Sequence, residues 1–166
     1  MNLLTGEAST SLFGGEMSPA IEHLIERARE APRDQAAAIL WTAAVGAPGC
    51  LPVHYLLYKL HASLGELGPA LRAASTGLAM AAQAAGLPTD WRTVQPGDAD
   101  FNAPGPARFW LFTLKALAFI HLRRHERDTA AGFIAQIGRL DPDDQIGASV
   151  TRTLLQHSGD SETTAT

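Results

Sequence analysis

An all-α fold follows from three features of the chain. Ala and Leu are plentiful while strongly β-forming runs are scarce. Prolines and small polar residues recur at intervals that suit helix starts. The helical segments so marked fall into pairs, and the pairs repeat. With 166 residues and 46% hydrophobic content the chain can form one domain with a core, or a short array of repeats.

The elements can be justified in order. Ser18 caps a first helix with Pro19 in its opening turn, running to about Glu30. Pro32 opens a second, which ends near the GAPG stretch, and Pro52 a third, to about Leu64. The turn GELG leads into a fourth helix from about Leu67 to Ala85. A fifth spans about Pro106 to Arg124, and a sixth about Arg127 to Leu140. A seventh is expected from Asp141 to about Gln156, because Asp141 can cap, Pro142 suits a first turn, and Asp143 and Asp144 favour the positive end of a helix dipole. Residues 1–17 are rich in Gly, Ser and Thr and read as a flexible N-terminus. Residues 158–166 read as a disordered tail.

The pairs share a register. Set against the pattern W-x2-L-G-x2-Y then A-x3-F, the second pair gives His54, Leu57, Tyr58 and His61, followed by Ala70 and Ala74. A shift of about 34 residues places Ala36 under Ala70, Leu40 under Ala74 and Ala43 under Gly77. The third pair reads Leu114, Leu117, Ala118 and His121, then Ala130 and Ile134, and closes on RLDPDD. Over roughly residues 18–157 the chain resembles the tetratricopeptide repeat family, although the signature Trp and Tyr are missing at most positions. The resemblance implies a single domain, a right-handed stack of about three helix-turn-helix pairs plus a C-terminal capping helix. The first helix of each pair would line a concave face.

The repeat spacing breaks once. Ala70 and Ala130 stand 60 residues apart, so about 26 residues exceed one period. The excess lies around 85–108, with four prolines, three glycines, Trp91 and Phe101. A loop this long is either a surface excursion or a functional arm; here the second alternative is a lid over part of a binding surface.

By the resemblance, Ile21, Ile25 and Arg29 face the concave side from the first pair, Tyr55 and Lys59 from the second, and Lys115, Phe119 and Arg123 from the third. Mixed cations and aromatics suit a protein segment with carboxylates and apolar side chains. The expected partner-binding set is therefore Arg29, Tyr55, Lys59, Lys115, Phe119 and Arg123, with Trp91 from the loop. The family's peptide clamps place Asn on the groove face, and this chain has none at the matching positions.

Chemistry is less well marked. His121 and His125, four apart, could share a metal on a continuous helix, but His125 falls where the helix ends and no third ligand stands nearby. A packed histidine beside a solvated turn is the plainer expectation. Cys50 is the only cysteine, so no intrachain disulfide forms and a reducing compartment fits. His54 lies one turn beyond Cys50, yet a nucleophile pair needs an orienting third group. Phosphate-loop, zinc-helix, C-x-x-C and nucleophile-elbow motifs are missing. Gly14–Gly15 reads as a hinge.

No catalytic residue, metal or cofactor is therefore expected. A net charge of −4 argues against a bulk grip on nucleic acid. The apolar run Phe109–Leu122 contains Lys115 and falls short of the ~20 residues that span a bilayer. A cytoplasmic, bacterial-type protein follows, without membrane or nucleic-acid partners. The leading function is a non-enzymatic interaction module, a small adaptor or client-specific assembly chaperone. The alternative is a small-molecule or metal-binding protein or enzyme, using a pocket between the inserted loop and the fifth helix with Trp91, Trp110, His54 and His121. Self-association into a homodimer through the apolar fifth helix is a third expectation.

Overall fold

A computed structural model describes residues 13–14 and 17–163, with side chains to 158; most of the N-terminal stretch expected to be flexible, including Gly15 of the proposed hinge, lies outside the described residues. Among the described residues seven α-helices are complete: α1 (Pro19–Glu30), α2 (Arg33–Gly46), α3 (Leu51–Ser63), α4 (Leu67–Ala85), α5 (Pro106–Arg123), α6 (Arg127–Leu140) and α7 (Ser149–Thr163). Among the described residues there is no strand. Consecutive helices pack on one another, α5 also touches α3 and α7, and the result is a stack of three helical hairpins closed by a seventh helix.

Local chemistry sets the helix ends. The Ser18 hydroxyl accepts the Ile21 N–H at 3.3 Å, with Pro19 in the first turn of α1. The α3–α4 and α5–α6 turns are built alike. In each, a residue with positive φ follows the first helix, Gly65 at 73° and His125 at 61°. The next N–H, of Glu66 or Glu126, reaches back to the carbonyl of His61 or His121 at 2.9 Å. This closure satisfies carbonyls that the helix end would otherwise leave unpaired.

The core follows the repeat register. Ala36, Leu40 and Ala43, then Ala70, Ala74 and Gly77, then Ala130, Ile134 and Ile137, are all buried. At Gly77 the helices pack closely: a Cβ there would lie 2.9 Å from the His54 Cβ and 3.2 Å from the Phe109 ring. Small residues in the second helix of each hairpin let the neighbouring helices approach.

Two expectations change. The seventh helix starts at Ser149, not Asp141. The Asp141 carboxylate accepts the N–H groups of Gln145 and Ile146, both at 3.0 Å, and so closes a turn. Asp144, at φ 53°, then accepts the Ser149 N–H at 3.1 Å. The helix also continues through residues 158–163, so the tail expected to be disordered is helical that far; 164–166 lie outside the described residues. At the other end Phe13 is only 1% exposed, buried where a flexible segment was expected.

Candidate functional site: a cationic groove

A groove of about 600 Å³ opens between α3, α5 and α7. Residues Tyr55, Lys59 and Ser63 come up one face of α3 at helical spacing, and Lys115, Phe119 and Arg123 up one face of α5. Phe112 and Tyr58 lie below them, and Val150, 68% exposed, forms the α7 wall.

Cations and rings alternate along it. Lys59 Nζ lies 4.7 Å from the centroid of Tyr55, Lys115 Nζ 5.3 Å from Phe112, and Arg123 Cζ 5.8 Å from Phe119. Among the described residues, the hydrogen-bond acceptors these cations meet are neutral. Lys59 donates to the Tyr55 hydroxyl at 2.9 Å, Lys115 to the Ile146 carbonyl at 2.6 Å, and Arg123 to the Ala62 carbonyl at 3.4 Å. Among the described residues no Asp or Glu lines the groove, and no carboxylate forms an ion pair with these three side chains. Burial lowers the Lys115 pKa; the nearby Asp144 charge opposes that shift and Lys59 adds to it. Tyr58 is buried and hydrogen-bonded to Thr113, and its phenol is pushed far above the ordinary value, which keeps the floor neutral.

Five of the seven residues expected to bind a partner therefore meet in one groove: Tyr55, Lys59, Lys115, Phe119 and Arg123. Arg29 and Trp91 do not. Arg29 pairs with Glu26 at 2.5 Å on the exposed side of α1. Ile21 and Ile25, expected on the concave face, are in the core. The hollow is formed one hairpin further along, with α7 rather than α1 as its second wall. Trp91 stacks on Phe133 of α6, with centroids 4.2 Å apart.

The inserted loop is strapped to α6. The Gln136 amide donates to the carbonyls of Trp91 and Val94 at 2.9 and 2.8 Å, and Arg139 donates to the Gln95 side chain at 2.9 Å. Val94 and Phe101 are buried, the latter against Trp110. No loop residue lines the groove, so the loop covers the stack without forming a lid over it.

The histidines are absorbed by packing. Glu126 takes a hydrogen bond from His121 Nδ1, while the His121 ring stacks on Phe133 at 5.5 Å. His125 is the exposed positive-φ residue of the turn. His61 repeats the arrangement: Trp41 Nε1–H donates to its Nε2 at 2.9 Å, so Nδ1 carries the proton given to Glu66 at 2.6 Å. His54 donates Nε2–H to the Pro48 carbonyl at 2.6 Å, and its buried Nδ1 has no partner among the described residues. It is not paired with Cys50, whose pKa is raised by burial. Among the described residues no three His, Cys, Asp or Glu side chains gather as metal ligands.

A second cavity of about 420 Å³ is lined by Ser75, Leu78, Gln83, Leu87, Thr89 and Trp110, among others. Of the four residues expected around a loop–helix pocket, only Trp110 reaches it, and no titratable side chain lines it. Among the described residues no helix is long and apolar enough to cross a membrane.

No family model, no curated protein and no solved structure matches this chain. Its function has to be argued from the groove.

Proposed function

We propose that the chain is a non-enzymatic protein–protein interaction module, a small tetratricopeptide-like adaptor or client-specific assembly chaperone working in a cytoplasm. It holds a protein segment carrying both carboxylates and apolar side chains in the α3–α5–α7 groove. One observation carries this reading: Lys59, Lys115 and Arg123 share a hollow that no carboxylate among the described residues lines, in a chain whose net charge is −4. Carboxylates of a partner would supply the missing counter-charges, and Phe112, Phe119 and Val150 would receive its apolar side chains.

The test is a panel of fluorescein-labelled twelve-residue peptides that mix Glu or Asp with Leu or Phe, beside basic counterparts of equal hydrophobicity. At least one acidic member binds saturably, and the Lys59→Ala, Lys115→Ala double variant weakens it by about 1–3 kcal/mol, roughly fivefold to 150-fold, with its helical circular dichroism unchanged. Equal binding of acidic and basic peptides, unchanged binding by the double variant, or no binding across the panel would overturn the proposal.

A further inference from the structure

The last helix, α7, has little to pack against. Among its described side chains Thr151 alone is buried and Leu155 half-buried. Val150 and Leu154, one turn apart on a common face, are 68% and 45% exposed. With Val45 they are the large apolar side chains that the described residues leave in solvent. A helix of this length holds its shape in water mainly through tertiary packing of one face. Val150 also walls the groove, so an occupant of the groove reaches this face of α7.

The form of the occupant follows from what the walls offer. The walls α3, α5 and α7 are helices, whose backbone groups are spent on one another, and among the described residues no strand edge is open to an extended chain. The main-chain carbonyls of Ala62 and Ile146 are already taken by Arg123 and Lys115. An extended segment would therefore bury peptide groups against Phe112 and Phe119 without main-chain partners, whereas a helix brings its own.

Charge spacing gives the register. On α5 Lys115 and Arg123 stand eight residues apart with Phe119 midway, a rise of about 12 Å at 1.5 Å per residue. Lys59 faces them from α3, near enough to Lys115 for the two charges to repel. A helix lying along α5 meets both positions with carboxylates about seven or eight residues apart and apolar side chains between them. An extended chain would cover the same ~12 Å in about four residues, so the two forms call for different sequences.

We propose that the groove takes an acidic, amphipathic α-helix of its partner. Carboxylates about two turns apart face Lys115 and Arg123, and the apolar residues between them pack on Phe119, Val150 and Leu154. This rests on the partner-binding reading above and names the class of partner. The bound helix supplies the cover that α7 lacks.

The experiment uses the full chain and three fluorescein-labelled, Ala-rich peptides of eighteen residues. The first carries two Glu seven apart, with Leu three and four residues after the first Glu. The second replaces its central Ala with Pro, and the third moves the two Glu to four apart. The first binds tightest, about tenfold or more ahead of the second, because Pro breaks the helix. It slows amide hydrogen exchange over residues 150–158 severalfold. Val150→Ser with Leu154→Ser weakens it by about tenfold at unchanged helical circular dichroism. Equal binding of the Pro peptide, tighter binding of the third, or unchanged exchange in α7 would overturn the proposal. If the Pro peptide or the twelve-residue acidic peptides bind through Lys59 and Lys115 while the helical one does not, the helix fails alone and the partner-binding reading stands. No saturable binding by any acidic peptide, long or short, would remove both.

Discussion

His121 and His125 stand four residues apart and do unrelated work. The first is held between Glu126 and the Phe133 ring; the second supplies a backbone conformation that L-residues adopt at a cost of about 1–2 kcal/mol. In the sister turn that position is Gly65. His125→Gly should therefore raise stability by about 1 kcal/mol, and Gly65→Ala should lower it by a similar amount, read as shifts in the urea midpoint. His54 sets a pH dependence. Burial lowers its pKa below the ordinary 6.5, with the Pro48 carbonyl opposing. The unfolded chain thus takes up the proton first as pH falls, and the stability His54 contributes is complete above 6.5 and lost as pH falls through the lowered folded value. His54→Gln, which can still donate to Pro48, should show a flatter decline in urea midpoint from about pH 8 to about pH 5 than the parent. An equally steep decline would show that His54 is not its source.

Helices cross closely where a small residue permits it, and Gly77 is such a case. A methyl group there meets His54 Cβ at 2.9 Å and the Phe109 ring at 3.2 Å, so α4 must move off α3 and α5 together. Gly77→Ala should cost about 1–3 kcal/mol, a fall in urea midpoint at unchanged slope. A neutral outcome would mean that the crossing is looser than described. This register was legible in the sequence because small residues recur at the repeat spacing, and the first six helices were legible because Pro, Gly and Ser mark their ends. The start of α7 was not. An Asp-Pro-Asp-Asp run looks like a helix cap, but its first carboxylate is used up on Gln145 and Ile146, and the helix waits for Ser149. Val150 and Thr151, which wall the groove, were hidden by that misplacement. The docking of the loop was hidden for another reason: Gln136 meets Trp91 and Val94 from more than forty residues away, a pairing that leaves no periodic trace. Phe13, isolated in a Gly- and Ser-rich stretch, had no pattern to announce its burial.

At the scale of the whole molecule, charge is sorted. An acidic protein keeps three cations together in one hollow, separated by aromatic rings and, among the described residues, lined by no carboxylate. Burial disfavours the Lys115 ammonium, and a carboxylate arriving beside it would favour the charged form. Binding carried by such contacts should weaken as salt rises, because the groove is open and its charges are screened over ~8–10 Å at physiological ionic strength. The most direct test is amide chemical-shift mapping of the isotope-labelled protein, titrated with an acidic, Leu-containing peptide at low and at moderate salt. The account predicts that the moving signals cluster on Tyr55, Lys59, Lys115, Phe119, Arg123 and Val150, and that the shifts shrink with added salt. Salt-insensitive shifts spread over α1, α2 or the strapped loop, with those six residues still, would contradict it.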